Sequence, residues 1–140
     1  MKNLANIKVL FIASLAAIVK DNAKSKKLYL KTLGLPLENN GDGYYHSEQI
    51  EGVKHFGLWP LSQAAESCFG KKTWPKNLPI PQACVEFEVE DIEKATAELK
   101  AQGYKVLVAV KKEPWGQTVS RFLGPEGLLV GVTNTPSLRK

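Results

Sequence analysis

ACVEFEVEDIEKATAELKAQG, residues 83–103, is the stretch whose reading decides the fold. From Ala83 to Val89 apolar residues alternate with acidic ones, the period-two pattern of a half-buried strand. Asp91 can cap a helix by accepting from free backbone N–H groups in the first turn. Ile92, Ala95 and Leu99 then recur at helical spacing on one side, predicting a helix to about Gln102. Gly103 ends it. Three further strands are predicted downstream, over Tyr104–Val110, Gln117–Leu123 and Leu128–Thr133. Glu113–Gly116 and the tight Pro125-Glu126-Gly127 turn separate them.

The same order occurs upstream. Ile7 to Val19 is a near-continuous run of Val, Ile, Leu and Phe, read as a strand. Asp21 or Asn22 can cap a helix over Ala23–Leu33, with Leu28, Leu30 and Leu33 forming its apolar side among lysines. Gly34 and Pro36 stop it. Asn39-Asn40-Gly41-Asp42-Gly43 is the strongest turn signal in the chain, and Tyr44–Ile50 and Val53–Trp59 follow as strands. Val19-Lys20-Asp21 recurs as Val89-Glu90-Asp91 seventy residues later. His55-Phe56-Gly57-Leu58-Trp59 occupies the place of Leu129-Val130-Gly131-Val132-Thr133. The chain is therefore an internal duplication: an α+β fold of two βαβββ modules, residues 1–60 and 82–140. A linker, 61–81, carries a short helix over Ser62–Cys68 and lies partly draped over a surface.

Composition bounds the function. A chain of 140 residues, 44% hydrophobic and 24% charged, is ordinary for one globular domain. The net charge of +5 comes from scattered lysines interspersed with acids, not from the dense basic stripe of a nucleic-acid binder. Cys68 and Cys84 form neither a disulfide framework nor a zinc spacing. The apolar run up to Val19 imitates a signal peptide's core but is too short to span a membrane. Since it is also the first strand of the repeat, the reading is cytoplasmic, with no nucleic-acid or membrane partner. No Gly-x-Ser-x-Gly elbow or phosphate-binding loop occurs.

A strand ending Val-x-Asp, a helix ending in Gly, and EPWGQTVSRFLGPEGLLV (residues 113–130) resemble the vicinal oxygen chelate superfamily, which includes glyoxalases, bleomycin-resistance proteins and extradiol dioxygenases. The resemblance covers nearly the whole chain outside the linker. It implies curved sheets that face each other around a cavity, a homodimer, and, in the enzymes, a divalent metal held from the first and last strands of each half. Carried over residue by residue, those ligand positions fall on Ser14, Gly57, Cys84 and Gly131. None is His, Asp, Glu or Gln, so no metal and no other cofactor is expected. The alternative is a lyase, isomerase or dioxygenase with displaced ligands drawn from His55, Glu86 and His46. Against that, His46 is read as an exposed hairpin residue and His55 as a hydrogen-bonded wall residue.

Period-two alternation points His55, Trp59, Leu129 and Thr133 into the cavity, with Ser14, Cys84 and Glu86 facing them. Trp115, on a Pro-Trp-Gly turn, belongs near the opening. Ser14, His55, Trp59, Cys84, Glu86, Trp115 and Thr133 are the expected ligand-binding residues. Tyr44 and Tyr45 are further stacking candidates, and Arg121 is read as a solvated outer-face arginine. The two glycines are expected to leave extra room for a bulky or flat guest. The function expected is binding of a neutral or anionic aromatic or drug-like molecule without a metal.

Overall fold

The computed structural model describes residues 7–20 and 22–139. The capping expectation on Asp21 or Asn22 falls on atoms outside those described. Strand β1 (Val9–Val19) leads into a short helix α1 (Asn22–Lys26), which runs on as a π-helical turn over Lys27–Thr32. Strands β2 (Glu38–Asn39), β3 (Tyr45–Ser47) and β4 (His55–Pro60) complete the first half. Helix α2 (Leu61–Phe69) lies in the segment between halves. The second half holds β5 (Ala83–Val89), α3 (Ile92–Ala101), β6 (Val106–Lys112), β7 (Thr118–Leu123) and β8 (Leu129–Asn134). A 3₁₀ turn at Pro136–Leu138 follows. No described helix is long and apolar enough to cross a membrane.

All eight strands join one open sheet in the order β2-β3-β4-β1-β5-β8-β7-β6. Within each half the first and last strands pair in parallel: Ser14 lies opposite His55 and Ala16 opposite Gly57, as Cys84 lies opposite Leu129 and Glu86 opposite Gly131. At the middle, β1 and β5 run antiparallel with Ser14 opposite Glu86 and Ala16 opposite Cys84. Exchanging the two halves turns one of those pairs into the other, which is the mark of a pseudo-two-fold duplication.

The halves differ in how well each buries its outer face. Asp91 caps α3 by accepting from the Lys94 N–H at 3.0 Å. Ile92, Ala95 and Leu99 then pack on Val89, Phe122 and Val132. The first-half helix does not match this. Leu28 and Leu33 stay 46% and 56% exposed, and none of the π-turn residues is buried. Spacings of two and three residues spread Leu28, Leu30 and Leu33 around a helix instead of along one stripe. Val9, Ile12 and Leu15 of β1 are exposed as well.

The linker is not draped over a surface; it enters the core. Ala64, Ala65 and Cys68 of α2 pack on Ala16, Trp59, Cys84 and Leu129. These small side chains let the helix approach the sheet on the face opposite α3. Trp74 meets Phe69 edge-on at 4.9 Å and donates to the Pro79 carbonyl at 2.9 Å, pinning the rest of the segment.

Burial of α3 sets an expected order of stabilities. Leu99→Ala should cost about 2–5 kcal/mol in urea unfolding, and Asp91→Ala about 1 kcal/mol.

Candidate functional site

A cavity of about 280 Å³ opens on the sheet face that carries α2. Ser14, Cys84 and Glu86 reach it from β1 and β5, His55 and Trp59 from β4, and Trp115 from the turn before β7. These are six of the seven expected residues. Thr133, the seventh, shares the face but does not line the cavity. Its hydroxyl donates to the Thr118 carbonyl at 3.1 Å and lies 3.1 Å from the Thr135 hydroxyl. Thr135, Ser137 and Leu138 stand at the wall instead. That C-terminal turn is held by Glu88, which accepts from the Thr135 N–H and from Arg139 Nε, both at 2.6 Å.

The expected extra room at the glycines is already filled. A β-carbon on Gly57 would stand 2.5 Å from the Tyr44 hydroxyl, and one on Gly131 3.0 Å from Glu86 Cγ. The missing side chains thus let a phenol and a carboxylate lie against the sheet.

Arg121 corrects the sequence reading most sharply. It is 1% exposed and faces inward, not outward. The turn at residues 124–128 closes with Gly124 N–H donating to the Leu128 carbonyl, which sets Arg121 opposite Gly131 and on the same face. Its Nε and Nη2 donate to Glu86 Oε2 at 3.1 and 2.8 Å. Nη1 donates to Ser67, whose hydroxyl donates onward to Glu113 at 2.6 Å. Lys111 closes the chain on Glu113 at 3.1 Å. The guanidinium also lies over the Trp59 ring at 4.9 Å. Burial works against its charge, but Glu86 more than offsets that and holds it ionised. Gln117 bridges the network to the mouth, donating to Glu86 Oε1 at 2.7 Å and accepting from Trp115 Nε1 at 2.8 Å.

A second cluster stands on β3 and β4. The Tyr44 hydroxyl is 2.5 Å from His55 Nε2, and His55 Nδ1 is 3.3 Å from Glu48. His55 is therefore a hydrogen-bonded wall residue. His46, read as an exposed hairpin residue, instead packs half-buried beside both Tyr44 and His55, at ring distances of 5.2 and 5.3 Å. Its Nε2 meets Asn40 Oδ1 at 2.6 Å, while its Nδ1 is buried without a partner. Burial lowers the His55 pKa below that of a free imidazole, and the Glu48 contact only partly opposes this. Burial, with Glu86 nearby, raises the Tyr44 pKa, so its phenol keeps its proton. Tyr45 points elsewhere: its hydroxyl accepts from Asn39 Nδ2 at 3.2 Å, and Lys26 lies over its ring.

A divalent metal needs several converging imidazole, carboxylate or thiolate donors. Ser14, Gly57, Cys84 and Gly131 offer a hydroxyl, a thiol and two bare backbones. Burial raises the Cys84 pKa well above the ordinary thiol value, so it stays protonated. Glu86 is engaged by Arg121 and Gln117, and His55 by Tyr44 and Glu48. Among the described residues no three His, Cys, Asp or Glu side chains converge. The residues present do not fit the metal.

Removing Arg121 would strand the buried Glu86 carboxylate, since Glu113 keeps Lys111. Arg121→Met should cost about 3–5 kcal/mol in denaturant unfolding. Arg121→Met combined with Glu86→Leu should cost less than the two single changes added together, because the stranded charge leaves with its partner.

A family model described as the Glyoxalase/Bleomycin resistance protein/Dioxygenase superfamily matches residues 11–132. A search of curated proteins finds no significant match. Among solved structures, a superfamily member from Vibrio splendidus 12B01 is 15% identical with a TM-score of 0.60, over 92% of this chain and 99% of its own. Methylmalonyl-CoA epimerase from Mycobacterium tuberculosis is 17% identical with a TM-score of 0.56, over 97% and 95%. A homoprotocatechuate 2,3-dioxygenase variant from Brevibacterium fuscum is 20% identical with a TM-score of 0.60, over 94% of this chain but 34% of its own. At such identities the structural likeness shows the fold alone. The duplicated sheet and the family match along residues 11–132 agree, and the chain belongs to the glyoxalase/bleomycin resistance protein/dioxygenase superfamily.

Proposed function

We propose that this chain binds a small aromatic, drug-like molecule in the cavity and does so without a metal centre. One observation carries the reading: an open cavity with aromatic walls and a few polar anchors, whose floor is an arginine–carboxylate network where a chelate would stand. That make-up is typical of small-molecule sites. A second cavity of about 540 Å³ shares Asp42, Trp59, Gln63 and Trp115 with the first, so a guest longer than the first lobe has room to extend. The whole-chain charge pointed to a neutral or anionic guest, but Arg121 is already answered by Glu86 and Glu113, and the anionic alternative loses its physical basis. A metal-dependent lyase, isomerase or dioxygenase with displaced ligands would need Glu86 to leave Arg121, or His55 to leave Tyr44.

A homodimer forms part of the proposal. Val9, Ile12 and Leu15 of β1, with Leu28 and Leu33, leave an apolar strip uncovered, and such strips mark association sites. Light scattering should return twice the mass of one chain, and Leu15→Glu should return the single mass.

Two measurements test binding. Elemental analysis of purified protein should find far less than one Mn, Fe, Ni or Zn per chain; one tightly held ion per chain contradicts the reading. Thermal-shift screening of aromatic compounds should find a guest that stabilises by about 2.7 kcal/mol at a hundredfold excess over its Kd. A library of flat aromatics that leaves Tm unmoved counts against it.

A further inference from the structure

The chain carries a net charge of +5, yet its cavity does not share that sign. Among the described residues, Asp42, Glu48 and Glu86 line it against a single cation, Arg121, and no lysine does. Arg121 is spent on Glu86 at 2.8 Å and also lies 3.7 Å from Glu113. Asp42 and Glu48 are thus left to set the potential at the mouth, and low-dielectric walls focus it. The neighbouring lobe does not reverse the balance, since Lys72 and Lys111 there are matched by Glu66 and Glu113.

The hydrogen-bonding groups point the same way. Asn40 Oδ1 is an acceptor, so His46 Nε2 carries the ring proton and its Nδ1 presents a lone pair. That lone pair is buried and unpartnered on a residue that lines the cavity. Neutral His55 adds no positive charge. Trp115, 62% exposed and tethered through Gln117, offers a free ring face at the opening, and such faces attract cations.

Resting on the binding reading above, we infer that the cavity selects a flat aromatic cation, a protonated amine or guanidine carried on a ring system. Its charged N–H groups meet the Asp42 and Glu48 carboxylates while its rings lie against Trp115 and the Tyr44–His46 stack. An anion of the same shape meets two carboxylates whose hydrogen-bond donors, the Tyr44 N–H and neutral His55, carry no charge, and finds no free cation among the described residues.

Three probes of one shape test this by calorimetry: naphthylmethylamine, naphthylmethanol and naphthoate. The amine should bind at least about tenfold more tightly than the alcohol, and naphthoate should be weakest. Asp42→Asn, which keeps the oxygen that accepts from the Tyr44 N–H, should narrow the amine–alcohol gap by weakening the amine far more than the alcohol. Naphthoate binding as tightly as the amine, or an Asp42→Asn protein with an undiminished gap, overturns the inference and leaves the binding reading standing. Failure of all three probes to bind removes the binding reading, and the inference with it.

Discussion

The arrangement of the cavity depends on one buried contact, Arg121 on Glu86 at 2.8 Å. A guanidinium out of water is costly unless charge and hydrogen bonds answer it. Here Glu86 takes two of its N–H groups, Ser67 a third, and Glu113 lies beyond. The contact joins β5 to β7 across β8, draws the inter-module helix down through Ser67, and presents one side of the guanidinium to Trp59. It also settles the chemistry of the floor, because a carboxylate so engaged is not free to chelate.

The glycines fit this account. Gly131 is bare so that Glu86 can lie over it, and Gly57 is bare so that the Tyr44 phenol can reach His55. Each occupies a last-strand position where the resemblance would place a metal ligand. At both positions bare backbone makes way for a neighbouring side chain. One half receives an ion pair and the other a Tyr–His–Glu hydrogen-bond chain. Glu86 comes from β5, and Tyr44 from the residue just before β3.

Much of this was legible in the sequence. The second half reads cleanly because Asp91, Gly103 and the Pro125-Glu126-Gly127 turn punctuate strong periodic runs. Alternation alone turned Cys84, Glu86, His55 and Trp59 inward. Arg121 escaped because its face depends on pairing across the turn at 124–128; counting outward from that turn to Gly131 was the available signal. Leu28, Leu30 and Leu33 suggested a stripe that their spacing does not form. Ser67 and the tail from Thr135 to Arg139 carry no local pattern that announces a role, since their partners, Arg121, Glu113 and Glu88, are distant in sequence.

The central claim is that an ion pair occupies the place of the chelate. Anomalous diffraction from crystals soaked in manganese tests it most directly. The account predicts no anomalous peak at the cavity floor, with Arg121 still seated on Glu86. A manganese ion bound there, with Glu86 swung away from Arg121 to hold it, would contradict the account.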